Sequence, residues 1–470
     1  MKNLALVPEA LVVGGAVLLL LFGRFAGRQR RARRYLPAAT AALVLVALLV
    51  ELWVGAGVGS FFGGGLLQDR FALFAKAAAL LAAGTSIAVA DWSSEDSLPI
   101  GLSMPLLAAF GVMVVASAGD FVGLWAGLEL AGAAGIVMVA TRRPDLGLRL
   151  LVVGGVASAL LLVGFAFLYS TTGAAQLPSV RQVLFTTGPT LPLAIPVLLL
   201  LGALAVRASL APFHVAGLQV TMGASPLGAG LVLGLGGAAA VTAAIKISAV
   251  LTATPSLVSP YLAVLAAVAM GGGGAAALAA RSPRARLAYL ATGQVGWVVA
   301  GLVSHHRTGL GASIFLLGAL VLAATAGPAV MGGAGDVEAA LAGMGSLRPA
   351  RAAGTALAFL SLAGAPPLAG FFGEFAVAAS LAQSGYFGLL GLGLLGSVMS
   401  LVAALTMVRV IYFQSPLEEG RRGAVAALAI WTRLSTVGAI ALSMIVASYG
   451  VFGNPILSLA DQGAEALGLR

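Results

Sequence analysis

Six ionisable side chains lie within or at the edges of long apolar runs of this chain. They are Lys76, Glu129, Arg207, Lys246, Glu374 and Arg409. An ionisable group in hydrocarbon costs from about 2.5 kcal/mol upward, so such residues usually face the interior of a helix bundle and mark an ion path. The sequence has no Cys, no cluster spaced to bind a metal and no phosphate-binding loop. We therefore expect ion transfer and no redox chemistry in this chain alone.

The composition is typical of a protein embedded in a membrane. Of 470 residues, 60% are hydrophobic and 9% are charged, whereas a soluble domain carries roughly a quarter charged residues. At about 20 apolar residues per crossing, the sequence predicts an all-α polytopic protein of about fourteen spans. We place them near 4–23, 36–55, 70–90, 98–117, 120–140, 147–170, 190–216, 226–250, 257–280, 287–304, 308–332, 352–383, 385–413 and 434–452.

The basic residues concentrate on one set of alternate loops between these spans. Cytoplasmic loops collect Lys and Arg, so this side is predicted to be cytoplasmic and both termini to face away from the cytoplasm. The residues concerned are Arg24, Arg28, Arg30, Arg31, Arg33, Arg34, Arg142, Arg143, Arg149, Arg281, Arg284, Arg286, Arg348, Arg351, Arg421, Arg422 and Arg433.

Prolines interrupt two of the predicted spans. Pro212 lies inside the seventh, and Pro366-Pro367 lies inside the twelfth, shortly before Glu374. Proline removes a backbone donor and breaks a helix, and two broken helices in corresponding positions are typical of an inverted-repeat carrier. We therefore expect four segments: a three-helix unit (1–97), repeats over spans 4–8 (98–256) and spans 9–13 (257–414), and a C-terminal helix and tail (415–470).

Six segments taken together resemble subunit N of NADH-quinone oxidoreductase (respiratory complex I), an antiporter-like membrane subunit. They are VPEAL (7–11), GLLQDRFALFAK (65–76), SAGDFVGLWAGLEL (117–130), PFH (212–214), RLAYLATGQVGW (286–297) and SLAGAPPLAGFFGEF (361–375). The resemblance implies fourteen helices in two inverted five-helix repeats, other complex I membrane subunits as partners, and a bacterial inner (plasma) membrane. It also implies proton translocation driven by quinone reduction, with NADH, FMN, iron-sulfur clusters and quinone in partner subunits and no cofactor in this chain.

The resemblance assigns a proton path of Glu129, Arg207, His214, Lys246 and Glu374. Several positions depart from the family pattern. Arg207 and Gly237 stand where the family has lysines, and Glu374 stands where a lysine is common in subunit N, although sister subunits use Glu there. Arginine is effectively always charged and cannot release a proton as lysine can. Arg207 is therefore expected to act as counter-ion of Glu129, with Glu129 and Glu374 as the titrating members.

Two further path residues have ordinary interpretations as well as functional ones. Lys246 lies near a helix end, from which it is expected to snorkel to the interface. His214 is either a path member or a group that satisfies the broken helix. For the whole chain, the alternatives are a non-pumping structural subunit with a degenerate relay, an Mrp-type cation/proton antiporter and a hydrogenase-associated subunit.

Overall fold

The computed structural model describes residues 5–26, 30–55, 57, 59–92, 98–332, 337–415 and 433–468. Almost all of this is helical, as the composition predicts. The helices are α1 Val7–Ala26, α2 Arg30–Val54, α3 Arg70–Val89, α4 Leu98–Ser117, α5 Phe121–Ala140, α6 Pro144–Thr172, α7 Leu177–Thr187, α8 Ala194–Arg207, α9 Val215–Gly223, α10 Pro226–Gly230, α11 Gly237–Val250, α12 Pro255–Ala279, α13 Pro283–Val303, α14 Arg307–Met331, α15 Met344–Leu347, α16 Pro349–Leu362, α17 Ala369–Gln383, α18 Phe387–Phe413, α19 Arg433–Val451 and α20 Gly453–Ala466.

The all-α polytopic class predicted from the sequence is confirmed. Within the described ranges, ten helices are long and apolar enough to cross a membrane. The other four predicted spans correspond to α1, α13 and two helix pairs that a break separates, α8/α9 and α16/α17. The count of fourteen crossings stays a prediction.

Both predicted helix breaks are present. In the seventh span, α8 ends at Arg207 and α9 begins at Val215; in the twelfth, α16 ends at Leu362 and α17 begins at Ala369. The seventh span continues to Gly223, beyond the predicted end at residue 216. Non-helical backbone is tolerated at membrane depth only where protein or enclosed water satisfies its polar groups, so both breaks are expected inside the bundle.

Helix α13 packs against the helices on both sides of the second break and against α9 beyond the first. At the first break, Thr292 Oγ1 donates to the Ser209 carbonyl at 3.4 Å. At the second, the Gln294 side-chain amide, assigned with its nitrogen toward the backbone carbonyls because this orientation satisfies both groups, donates to Ser361 at 3.2 Å and to Leu362 at 2.9 Å. One buried helix therefore satisfies backbone carbonyls at both interruptions.

The eighth span contains a six-residue π-helical segment, Leu231–Gly236, between α10 and α11. Segments of this kind are rare and frequently occur at functional sites. Gly237, where the family has a lysine, is the residue directly after it. The sequence carried no signal for this segment, because its glycines and leucines suit an ordinary helix too.

Several short elements lie outside the predicted spans, among them the four-residue helix α15. An antiparallel hairpin joins β1 Gly59–Phe61 to β2 Leu66–Gln68, while α7 and α20 are short helices outside the spans. The hairpin covers the loop ends of α3 to α5, since the Gly119 backbone donates to the Gly65 carbonyl at 2.8 Å. These elements are shorter or more polar than a span, so the search for long apolar runs missed them.

Candidate functional site

An ion pair between Glu129 on α5 and Arg207 on α8 lies at the first helix break. Arg207 is the last residue of α8, where unpaired backbone carbonyls favour a cation. Its guanidinium also donates to the carbonyls of Leu128 at 3.2 Å and Gly154 at 3.3 Å. The predicted counter-ion role of Arg207 agrees with this geometry, since the side chain is held to α5 and α6 at once.

A cavity of about 180 Å³ adjoins this ion pair. Glu129, Arg207 and Ser209 contribute its polar lining, and glycines such as Gly154 and Gly217 leave the space open. A water molecule needs room for about one probe sphere and two to four polar partners. The cavity meets both conditions beside the Glu129 carboxylate, so water can reach a proton-accepting group at the break.

His214 is the last residue of the first break, directly before α9. Its ring centroid is 5.6 Å from that of Tyr289 on α13, and its Nδ1 is buried without a hydrogen-bond partner in the described part of the chain. His214 does not hydrogen-bond to Glu129 or Arg207 within the same ranges. The structure therefore places it beside the break but not in the ion pair.

Glu374 lies on α17, just after the second break, with 8% of its surface exposed. Ser397 Oγ donates to its carboxylate at 2.6 Å, and Trp297 Nε1 donates to Ser397 Oγ at 2.9 Å. The carboxylate also lies against Gly364, which has φ +67°. Ser397 of α18 therefore holds the buried Glu374 carboxylate in place, and Trp297 of α13 in turn holds Ser397.

Lys246 is buried, with 3% of its surface exposed, so the expectation that it snorkels to the interface is wrong. Its ammonium donates to the Ala116 carbonyl at 2.7 Å and lies 5.8 Å from the centre of the Phe71 ring. The amphipathic stem does not reach outward because α3 and α4 enclose the end of α11 at this depth. Lys246 thus faces the N-terminal three-helix unit and contacts neither helix break.

Of the five proposed path residues, the structure brings only Glu129 and Arg207 into direct contact. Glu374 is joined to Ser397 and Trp297, while His214 and Lys246 have surroundings of their own. Sequence reasoning missed the supporting roles of Thr292, Ser397 and Trp297. Neutral polar residues are common in apolar helices, so nothing in the sequence distinguishes those that align across helices.

The turn between α13 and α14 holds a partly buried histidine, His305. Neither ring nitrogen of His305 has a hydrogen-bond partner in the described ranges. Burial, together with the neighbouring charge of His306, lowers the pKa of His305 to about 4. The imidazole is therefore neutral at physiological pH.

The described residues contain no group of three or more His, Asp or Glu placed to hold a metal ion.

These features define a polytopic helical membrane protein with a carboxylate at each of two helix breaks, part-exposed at the first and buried at the second. Residues 118–400 match the family model described as NADH:quinone oxidoreductase/Mrp antiporter, transmembrane. The chain is 31% identical to NADH-quinone oxidoreductase subunit N of Granulibacter bethesdensis, over 98% of both chains. The chain therefore belongs to the family of proton-antiporter-like membrane subunits that includes subunit N, as the sequence resemblance predicted.

Solved structures agree with this assignment. A chain of respiratory complex I from Thermus thermophilus with bound aureothin has a TM-score of 0.79 at 25% identity, covering 97% of this chain and 99% of that one. A chain of the Mrp complex from Dietzia sp. has a TM-score of 0.78 at 21% identity, covering 98% and 97%. The second likeness shows a shared fold.

Proposed function

We propose that this chain is an antiporter-like membrane subunit of a complex I-type NADH-quinone oxidoreductase and contributes to proton translocation coupled to quinone reduction. The observation that carries the proposal is the Glu129–Arg207 ion pair, which lies at a helix break beside a cavity large enough for water. Its relatives named subunit N span the whole chain, which favours this assembly over an Mrp-type or hydrogenase-associated one.

The proposed titrating group at the first break is Glu129. Arg207 keeps its positive charge throughout, so it stabilises the ionised carboxylate and makes proton uptake by Glu129 depend on charges nearby. The cavity supplies room for water between Glu129 and the rest of the path. Glu374 would serve as the corresponding acid at the second break, where Ser397 orients it. His214 and Lys246 remain proposed members on the strength of the family resemblance.

The partners in this proposal are other membrane subunits of the assembly, and the chain itself takes part in no redox step. NADH, FMN, iron-sulfur clusters and quinone are expected in partner subunits, and the membrane is the inner (plasma) membrane of a bacterium. We also propose the repeat boundaries 98–256 and 257–414. In each repeat the first two helices pack along one another, α4 on α5 and α12 on α13, and the fourth span is broken.

A second candidate function, a non-pumping structural subunit, is favoured by Arg207 and Gly237. Arginine cannot pass on a proton, and glycine has no titratable side chain at all. Such a subunit would keep the fold and its partner surfaces after its relay decayed. The two candidates differ in one measurable quantity, the number of protons moved per electron.

The test is the proton-to-electron ratio of the intact complex in sealed vesicles, at equal assembly and equal quinone-reductase activity. Glu129→Gln is compared with wild type and with the control Asp145→Asn, which alters an exposed acid paired with Arg143. If the chain pumps, Glu129→Gln lowers the ratio because the amide cannot take up a proton, and Asp145→Asn leaves it unchanged. An unchanged ratio in Glu129→Gln would contradict the proposal.

A second arm of the same experiment tests the decayed relay directly. The variant combines Arg207→Lys with Gly237→Lys, and a Cβ at Gly237 would meet only the Val232 carbonyl, at 3.9 Å, so the backbone accepts a side chain there. A higher ratio than wild type would support the structural-subunit candidate. A fall in the ratio would show that the wild-type arrangement is the working one.

A further inference from the structure

A second set of buried charged groups lies in the N-terminal three-helix unit, away from both helix breaks. Lys76 on α3 and Glu51 on α2 are fully buried, each at 0% exposure, and Gln68 of the hairpin is 3% exposed. Lys76 forms an ion pair with Glu9 on α1. The proposed translocation path uses none of these side chains.

The four side chains form a continuous hydrogen-bonded row. Gln68 Nε2 donates to Glu51 Oε1 at 2.9 Å, and Lys76 Nζ donates to Gln68 Oε1 at 2.6 Å and to Glu9 Oε1. The other carboxylate oxygen of each acid, Glu9 Oε2 and Glu51 Oε2, is buried and has no partner among the described residues. An ionised carboxylate with a buried, unpaired oxygen is strongly disfavoured.

The charges facing this row do not balance when all groups are ionised. Glu9 and Glu51 would carry two negative charges against the single positive charge of Lys76, and the two acids repel one another. Lys246 on α11 interacts with Lys76 and with Asp69 at the start of α3. Helices α14 and α20 also pack on α3, and their charged residues Arg307, Glu465 and Asp461 interact with one another. Helix α4 packs on α2 and has no charged residue. The row itself therefore has one negative charge in excess when all its groups are ionised.

We propose that Glu9, Gln68, Lys76 and Glu51 form a second proton-holding site, in which the two acids share one proton beside Lys76. Two carboxylates that share a site cannot both ionise without a large cost, so one of them stays protonated. Binding a proton makes the row neutral, and releasing it leaves one buried charge. The site thus takes up and gives back a single proton.

The row has a peripheral end and an inner end. The Glu9 side chain is 12% exposed, whereas Glu51 and Lys76 are fully buried, so Glu9 is the acid nearer the protein surface. On the other side, the charge of Lys246 interacts with those of Lys76 and Asp69. A change of charge at Lys246 therefore changes the proton affinity of the row, and this is a link from the first proposed repeat to the three-helix unit.

Infrared spectroscopy of the full-length purified chain in lipid nanodiscs, followed over a pH titration, tests the site. The carbonyl stretch of a protonated carboxyl group is the readout. Wild type is expected to show the carbonyl signal of one protonated acid in this row. Both Glu51→Gln and Glu9→Gln are expected to lose that signal, because the single acid that remains is ionised and Lys76 neutralises it. The control Glu465→Gln removes an exposed acid paired with Arg307 and keeps the signal.

Lys76→Met supplies the opposite change. Without the cation, both acids are expected to be protonated, so the signal in excess of that of Glu51→Gln should be about twice as large as in wild type. If Glu51→Gln or Glu9→Gln keeps the wild-type signal, the two acids do not share a proton and the proposal is overturned, whether or not Lys76→Met folds. The proton-holding site does not depend on the proposed translocation function, whereas a role of this proton in translocation rests on that function. The infrared spectrum and the proton-to-electron ratio are separate measurements, so either proposal can fail without the other.

Discussion

At the scale of single residues, the site depends on what its charged groups touch. Glu129 and Glu374 are both acids at helix breaks, but one faces a permanent cation and the other a neutral hydroxyl. Arg207 stabilises the ionised form of Glu129, whereas Ser397 can donate to Glu374 when it is ionised and accept from it when it is protonated. The two acids therefore differ in the kind of group that each one contacts.

Gly364 is the residue whose replacement should disturb the Glu374 site most directly. An added Cβ would lie 2.5 Å from the Glu374 carboxylate, at a backbone φ of +67° that other residues rarely adopt. Gly364→Ala is therefore expected to lower the free energy of unfolding by about 1–3 kcal/mol. Thermal unfolding of the purified chain in detergent checks this. The control is Gly271→Ala, which has open space around its Cβ and should be nearly neutral.

At the scale of helices, both breaks are stabilised by a neighbouring helix and not by the broken helices themselves. Helix α13 contacts the segments around both interruptions, and its Thr292 and Gln294 lie less than one turn apart while serving different breaks. Freed carbonyls in a membrane must be satisfied by protein or water. This arrangement makes α13 the element on which the geometry of both acids depends.

Removing the Gln294 amide tests that dependence. In Gln294→Leu, the carbonyls of Ser361 and Leu362 lose their donor, and leaving a buried polar group unsatisfied costs about 1–3 kcal/mol. Faster amide hydrogen exchange is expected in peptides that span residues 360–372, as measured by mass spectrometry. Gln182→Leu, at an exposed position on α7, serves as control. Equal exchange in Gln294→Leu and wild type would show that α13 does not hold the break.

At the scale of the whole molecule, orientation in the membrane follows from the distribution of basic residues. The loop before α6 carries Arg142 and Arg143, whereas the loop before α8 has no basic residue between Gly188 and Leu193. The positive-inside rule predicts that the first loop is cytoplasmic and that the second lies on the opposite side together with both termini.

Single cysteines in a chain that has none test this orientation. Thr141→Cys and Thr190→Cys both introduce thiols at exposed positions. Thr190→Cys should react with a membrane-impermeant maleimide added to intact cells, whereas Thr141→Cys should react only after the membrane is opened. The reverse pattern would invert the orientation and place the N-terminal end of the bundle in the cytoplasm.

Much of this architecture follows from the sequence alone, for local reasons. Hydropathy over 20 residues predicts a span, and an acid such as Glu129 inside an apolar run indicates a candidate site. Proline favours a break at Pro212 and Pro366 because it lacks a donor, although Pro105 and Pro328 lie inside continuous helices. These signals depend on a residue and its neighbours along the chain. They predicted the fold class, both interruptions and the family.

Only the tertiary structure decided which charges meet. Lys246 and Lys76 looked alike in sequence, as isolated cations near span ends, yet one binds the Ala116 carbonyl and the other bridges Glu9 and Gln68. Partners of this kind come from helices far apart along the chain, 130 residues in the case of Lys246 and Ala116. Hydropathy says that a charge is buried but not what neutralises it, because pairing depends on the rotation and depth of each packed helix.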